Sequence, residues 1–153
     1  LLWGYFNMKI HTIGFTKKNA EKFFCLIRNS GIKTLIDVRL KNNSQLSGFA
    51  KKDDLKFLLR ELCSVDYIHE PILSPTKEIL DDYKKNNISW QKYEEEFLKL
   101  MSKRNIEKYI DLDSLNDSCL LCSEHEPQFC HRRLVVEYLN QNSDQNINVN
   151  HLI

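Results

Sequence analysis

Side chains able to do chemistry crowd into one stretch of this sequence, CLLCSEHEPQFCHRR at residues 119–133. It reads as a strand, a short polar loop and a helix opening at Cys130-His131-Arg132-Arg133. Two arginines and a histidine there run against the helix dipole, at a cost on the order of 0.3–1 kcal/mol for each cation. The arrangement makes sense if an anion completes it, with free backbone N–H groups and a guanidinium converging on a phosphate or carboxylate. The other reading is internal neutralisation of the arginines by Glu124 and Glu126. Helical spacing sets His131 on the buried stripe with Leu134, Val135 and Tyr138, facing the sheet edge. Arg133 lies four residues before Glu137 and reads as a surface pair, which leaves Arg132 as the anion ligand.

Cys130, at a helix start beside His131 and the arginines, should have a lowered thiol pKa if exposed, so a nucleophilic or redox role stays open. Metal binding is expected to be absent. The spacing of Cys122, His125, Cys130 and His131 matches no standard zinc finger or ribbon, and the zinc-deaminase pattern is not met either. A phosphatase-type cysteine loop would need an arginine six positions after the cysteine, where Cys122 has Gln128 and Cys130 has Val136. No glycine-rich phosphate loop is present, and no cofactor is implied.

Two further groups stand where other strands should end. Asp37-Val38-Arg39 puts a carboxylate and a guanidinium on one face of an extended chain. They form either a structural ion pair or a positioned general acid/base with a cationic partner. Gly14 closes the first strand, and His69 closes the third, where a hydrogen-bonded filler is as good a reading as a ligand. In Ser47-Gly48-Phe49 the aromatic ring either swings over a ligand or packs inward. Ligands of open α/β sheets bind at the carboxyl ends of the strands, where these residues gather.

The elements that must position them alternate. Strands are expected at 8–15, 33–40, 65–70, 118–123 and 147–153. Helices are expected at 17–29 with Thr16 as cap and Gly31 as stop, and at 53–63. Further helices are expected at 75–86 with Ser74 as cap and Pro75 at the first position, from Ser89 through Met101 towards 110, and at 130–140. The near-continuous apolar run KTLIDVRL suits a strand covered on both faces. The pattern predicts a three-layer α/β fold: an open, mainly parallel sheet of about five strands, with a helical excursion at 72–110. KKNNISWQKYEEE is expected to be the solvated face of a helix pair.

The chain has 153 residues, 42% of them hydrophobic and 28% charged, which suits one domain with one real core, expected at 8–153. Residues 1–7 read as a leader or remnant outside that domain. Net charge is +1, with a basic first part and an acidic remainder, which argues against a protein whose main task is coating nucleic acid. No run approaches a membrane span. Five cysteines without framework spacing favour a reducing compartment, with the cytoplasm as the expected location.

KIHTIGF, LIDVR, SGF, YIH and LLCSEHEPQFCHRR, in this order over residues 8–153, together resemble the prokaryotic domain of unknown function 488 family. That resemblance implies a small cytosolic α/β protein of no assigned reaction. It points to Gly14, Asp37, Arg39, Phe49, Tyr67, His69, Glu124, Cys130, His131 and Arg132. Where the family usually reads Leu-Gly after the third strand, this chain has Ile72-Leu73-Ser74. The expected function is an enzyme or enzyme-like binder of a phosphate-bearing ligand, a nucleotide or nucleic acid. Arg39 and Arg132 would hold the anion, Asp37 or Glu124 would act as general acid/base, and His131 would orient or shuttle a proton. The alternatives are a non-catalytic module that binds nucleic acid or a partner protein, and a cysteine-dependent enzyme.

Overall fold

Short apolar runs separated by amphipathic stretches build a layered α/β structure, seen here in a computed structural model that describes residues 7–43 and 48–153. In chain order the elements are β1 (Asn7–Gly14), α1 (Ala20–Ser30), β2 (Thr34–Asp37), α2 (Lys52–Cys63), β3 (Asp66–His69) and α3 (Lys77–Lys84). They continue with α4 (Trp90–Arg104), α5 (Ile106–Tyr109), β4 (Ser118–Cys122), α6 (His131–Gln141) and β5 (Asn146–Leu152). The five strands are all parallel, in the order β3-β2-β4-β1-β5. β4 is central and wholly buried, as its apolar sequence requires.

Alternation along the strands sorts the core into two layers. Cys119 and Leu121 of β4 face Phe23, Phe24 and Ile27 of α1 and Leu55 and Leu59 of α2. Leu120 and Cys122 face Phe97 and Met101 of α4 and Leu134 and Val135 of α6. The three-layer expectation is therefore met, with α3 and α4 forming the helical excursion. No helix among the described residues is long and apolar enough to cross a membrane.

Local details differ from the sequence reading for identifiable reasons. Asn19, not Thr16, caps α1 by accepting from the Lys22 N–H, because Thr16 donates its hydroxyl to the Ser123 carbonyl instead. Gly31 ends α1 in the left-handed region at φ 75°, as expected. Ser74 does not cap α3: its hydroxyl donates to the Pro71 carbonyl at 2.7 Å, and Thr76 caps the helix by accepting from the Ile79 N–H. Ser74 has φ −94°, so a residue with a side chain meets no backbone strain there. Ser89 caps α4 as expected, and Asn105, left-handed at φ 50°, separates α4 from α5. β1 starts at Asn7, one residue before the expected strand, and the Asn7 Oδ1 accepts from Asn146 Nδ2. Residues 1–6 lie outside the described residues. β2 ends at Asp37, because the chain leaves the ladder there to place Arg39.

The register sets Gly14 opposite Cys122, Asp37 opposite Leu121, and Asp37 opposite His69. Four strand ends thus form one row, and the loops that leave them share one side of the molecule.

Candidate functional site

Two charged groups at the β2 end of that row are almost wholly buried. Asp37 is 0% exposed and Arg39 3%. Arg39 Nε donates to Asp37 Oδ1 at 2.9 Å and Nη2 to Oδ2 at 2.8 Å, a bidentate pair built by the i, i+2 spacing of an extended chain. Nη2 also donates to the Ala50 carbonyl, and the guanidinium stands 5.3 Å from the centre of the Phe15 ring. The Tyr67 hydroxyl donates to Asp37 Oδ2; burial first and this bond second push the phenol pKa up. Nη1 of Arg39 is buried and has no partner among the described residues.

Arg132 is the other sealed cation, at 0% exposure. Its Nη1 and Nη2 donate to the carbonyls of Glu124 and His125, at 2.6 and 3.1 Å. Nε donates to Thr12 Oγ1 at 3.2 Å, and Thr12 in turn lies 2.6 Å from His151 Nδ1. Burial, then the charges of Arg132 and Arg133, lower the His151 pKa. The loop held by Arg132 passes so close to Gly14 that a Cβ there would stand 1.6 Å from the Glu124 carbonyl oxygen. Glycine at 14 is thus a condition for the loop, not a ligand contact. From the other side, Thr16 N–H and hydroxyl both donate to the Ser123 carbonyl. Lys18 Nζ meets His125 Nδ1 at 3.1 Å, and burial, then the charges of Arg132 and Lys22, lower the Lys18 pKa to about 8.

Between these anchors the end of β4 and the start of α6 bring Cys122, Cys130 and His131 together, all buried. His131 Nε2 donates to the Val38 carbonyl at 2.7 Å, and Nδ1 lies 3.6 Å from Cys122 Sγ. The ring also packs against Phe97, 5.4 Å between centres. Cys130 is the N-cap of α6. Burial alone would push its thiol up, but a hydrogen bond from Cys122, then the His131 hydrogen bond and charge and the Arg132 charge, hold it well below the usual range. Cys122 is pushed well above, by that same hydrogen bond and by burial.

A cleft of about 720 Å³ opens over this floor. That volume is within the range of small-molecule sites. Arg39, Cys122, Glu124, Cys130 and His131 line its base, and Tyr83, Trp90, Tyr93 and Phe129 form an aromatic wall. Trp90 stacks on Tyr93 at 5.0 Å, and the half-exposed Phe129 meets Trp90 edge-on at 5.6 Å. Exposed Lys41, Lys77 and Lys84 also border it.

Of the residues singled out from the sequence, Arg39, Glu124, Cys130 and His131 therefore share one cavity. The others are elsewhere. Asp37 lies beneath, spent on Arg39 and Tyr67. Arg132 is not the anion ligand expected of it, because all three of its nitrogens already donate to the protein and no face reaches the cleft. Phe49 packs inward, 5.2 Å from Phe23 and 5.8 Å from Phe24; Ser47 of that loop lies outside the described residues. His69 Nε2 donates to the Arg39 carbonyl at 2.9 Å and so fixes the turn after β2. Arg133 pairs with Glu137 at 2.6 Å as the spacing predicted. Sequence reasoning missed the aromatic wall, two of whose four rings, Trp90 and Tyr93, come from the segment assigned to a solvated helix face. The Trp90, Tyr93, Phe97 spacing was the available signal.

Fold and site together define a doubly covered parallel α/β domain with a cleft at the carboxyl ends of its strands, charged at its base and aromatic along one wall. The family model described as domain of unknown function DUF488 matches residues 19–139, and the chain belongs to that family. Comparison with curated proteins matched nothing, and neither did comparison with solved structures.

Three outcomes follow from these contacts. Gly14→Ala forces the Glu124 loop away from β1 and should abolish the cooperative thermal transition or lower its midpoint sharply, read by circular dichroism. Asp37→Ala strands a buried guanidinium and should cost about 3–5 kcal/mol in a denaturant titration. Lys18 loses its proton near pH 8 in the folded state but near 10.4 when unfolded, so its contribution favours the native state increasingly as pH rises from 8 to 10. Stability measured across that window should climb less steeply in Lys18→Met.

Proposed function

We propose that the cleft binds a phosphate-bearing ligand, and that a nucleotide, free or at the end of a nucleic acid, is the class that suits both its charge and its aromatic wall. The observation that carries this reading is Arg39 Nη1, a buried donor without a partner among the described residues, on a residue that lines the cleft. An unmade hydrogen bond on a buried charged group costs on the order of 1–3 kcal/mol, and a phosphate oxygen would offset it. Asp37 holds the other edge of the guanidinium rigid, so the fork is oriented before any ligand arrives. Lys41, Lys77 and Lys84 supply long-range attraction, and Trp90 or Phe129 offers a face for a base.

Glu124 is the carboxylate at the base of the cleft, where Asp81 of α3 stands on the side of the wall, and it takes the general acid/base role in an enzymatic reading. Asp37 takes none, being fully engaged. His131 serves to orient, since its Nε2 proton is held by Val38. The five free cysteines agree with a reducing compartment, the cytoplasm.

A thermal-shift panel of orthophosphate, AMP, ADP, the matching nucleoside and a short single-stranded oligonucleotide tests the reading. A ligand at about 100 times its Kd should add roughly 2.7 kcal/mol of apparent stability. The shift should follow the phosphate and shrink in the exposed double variant Lys41→Ala, Lys84→Ala. Equal shifts with the nucleoside, or none across the panel, would overturn it. Release of inorganic phosphate from the bound nucleotide separates an enzyme from a binding module.

A further inference from the structure

Cys122, Cys130 and His131 have a second possibility that uses different atoms from the anion site. Their ligand atoms, two sulfurs and one imidazole nitrogen, all lie within 4.8 Å of one another. In a tetrahedral zinc site, with zinc–sulfur near 2.3 Å and zinc–nitrogen near 2.0–2.1 Å, neighbouring donors stand about 3.5–3.8 Å apart. Cys122 Sγ and His131 Nδ1 stand 3.6 Å apart. The sulfur is also 3.9 Å from Nε2, so it sits beside the ring, and closing on an ion turns the thiol toward the Nδ1 lone pair.

The tautomer is already the one a ligand needs. Val38 offers a carbonyl, which can only accept, so Nε2 carries a proton and the neutral ring holds its free lone pair at Nδ1; an imidazolium gives up its Nδ1 proton to bind the ion. Metal-binding histidines are held this way, by a backbone carbonyl or carboxylate on the far nitrogen. All three residues line the cleft, while His125 is turned away towards Lys18 and Thr16. The geometry points to a soft divalent cation, zinc by donor type, bound by Cys122 Sγ, Cys130 Sγ and His131 Nδ1 with its fourth position open to the cleft. Two thiolates balance the ion's charge, and three protein ligands with an open position are the pattern of a catalytic rather than a structural zinc. On this reading the expectation of no metal gives way, because it tested standard spacings and grouped His125 with the set.

Cobalt titration of the full-length, reduced, EDTA-stripped protein, without phosphate or nucleotide present, decides the matter. One equivalent should produce tetrahedral d–d bands and a thiolate-to-cobalt charge-transfer band, both abolished by one equivalent of zinc. Cys122→Ser and Cys130→Ser should each weaken the charge-transfer band, while Cys25→Ser leaves it intact. Should a serine variant fail to fold, the wild type still answers: zinc should protect Cys122 and Cys130 from alkylation mapped by mass spectrometry, and leave the exposed Cys25 open. Absence of the bands in reduced wild-type protein overturns the proposal. So does an undiminished charge-transfer band in both serine variants, or protection that excludes either cysteine. A Cys122–Cys130 disulfide formed in air by protein that ignores cobalt when reduced would assign the pair to thiol redox chemistry instead. Nucleotide binding measured in EDTA stands or falls separately.

Discussion

A buried guanidinium without a carboxylate at hydrogen-bond distance is the constraint on which this site is built. Taking a cation out of water costs several kcal/mol, and among the described residues Arg132 makes its hydrogen bonds to neutral acceptors: the Glu124 and His125 carbonyls and the Thr12 hydroxyl. The loop after β4 therefore has one acceptable path, since any other strips the charge of its acceptors. Gly14 exists to let that path through. With the loop fixed, the end of β4 and the first residue before α6 are fixed relative to each other, and Cys122, Cys130 and His131 come together as a result. Thr12 extends the same chain of bonds into β5 through His151, so a strand at the sheet edge helps to hold the centre.

Arg39 works by the opposite rule. It is buried with a carboxylate partner, but the bidentate pairing uses only one edge of a planar group. Nη1 is left over, with no partner among the described residues. The two buried arginines thus have different tasks, one closing the protein onto itself and the other left with capacity to spare.

What the sequence revealed followed from periodicity. Alternation in Asp37-Val38-Arg39 implied that the two charges meet, and they do. The apolar CLLC run implied a central strand, the helical stripe turned His131 towards the sheet, and the i, i+4 spacing paired Arg133 with Glu137. What stayed hidden depended on long-range choices. Cations at a helix start implied an acceptor, but nothing local showed that carbonyls of the preceding loop would fill that role for Arg132. Cys122 and Cys130 are brought together by how a loop closes, which no spacing rule encodes. The aromatic wall was hidden because Trp90 and Tyr93 sit among lysines and glutamates in a segment that composition marks as solvated. The cap of α3 went to Thr76 because Ser74 was needed by Pro71.

Base and wall of the cleft come from different parts of the chain. The base is made of strand ends, their following loops and one helix start, cross-braced by backbone hydrogen bonds. The wall belongs mostly to α3 and α4, joined to the strand ends through aromatic packing and Arg104, which grips the Ile72 and Ser74 carbonyls. Evolution can therefore trade one ring for another, or reshape the helical pair, and retune what enters without disturbing the charges underneath.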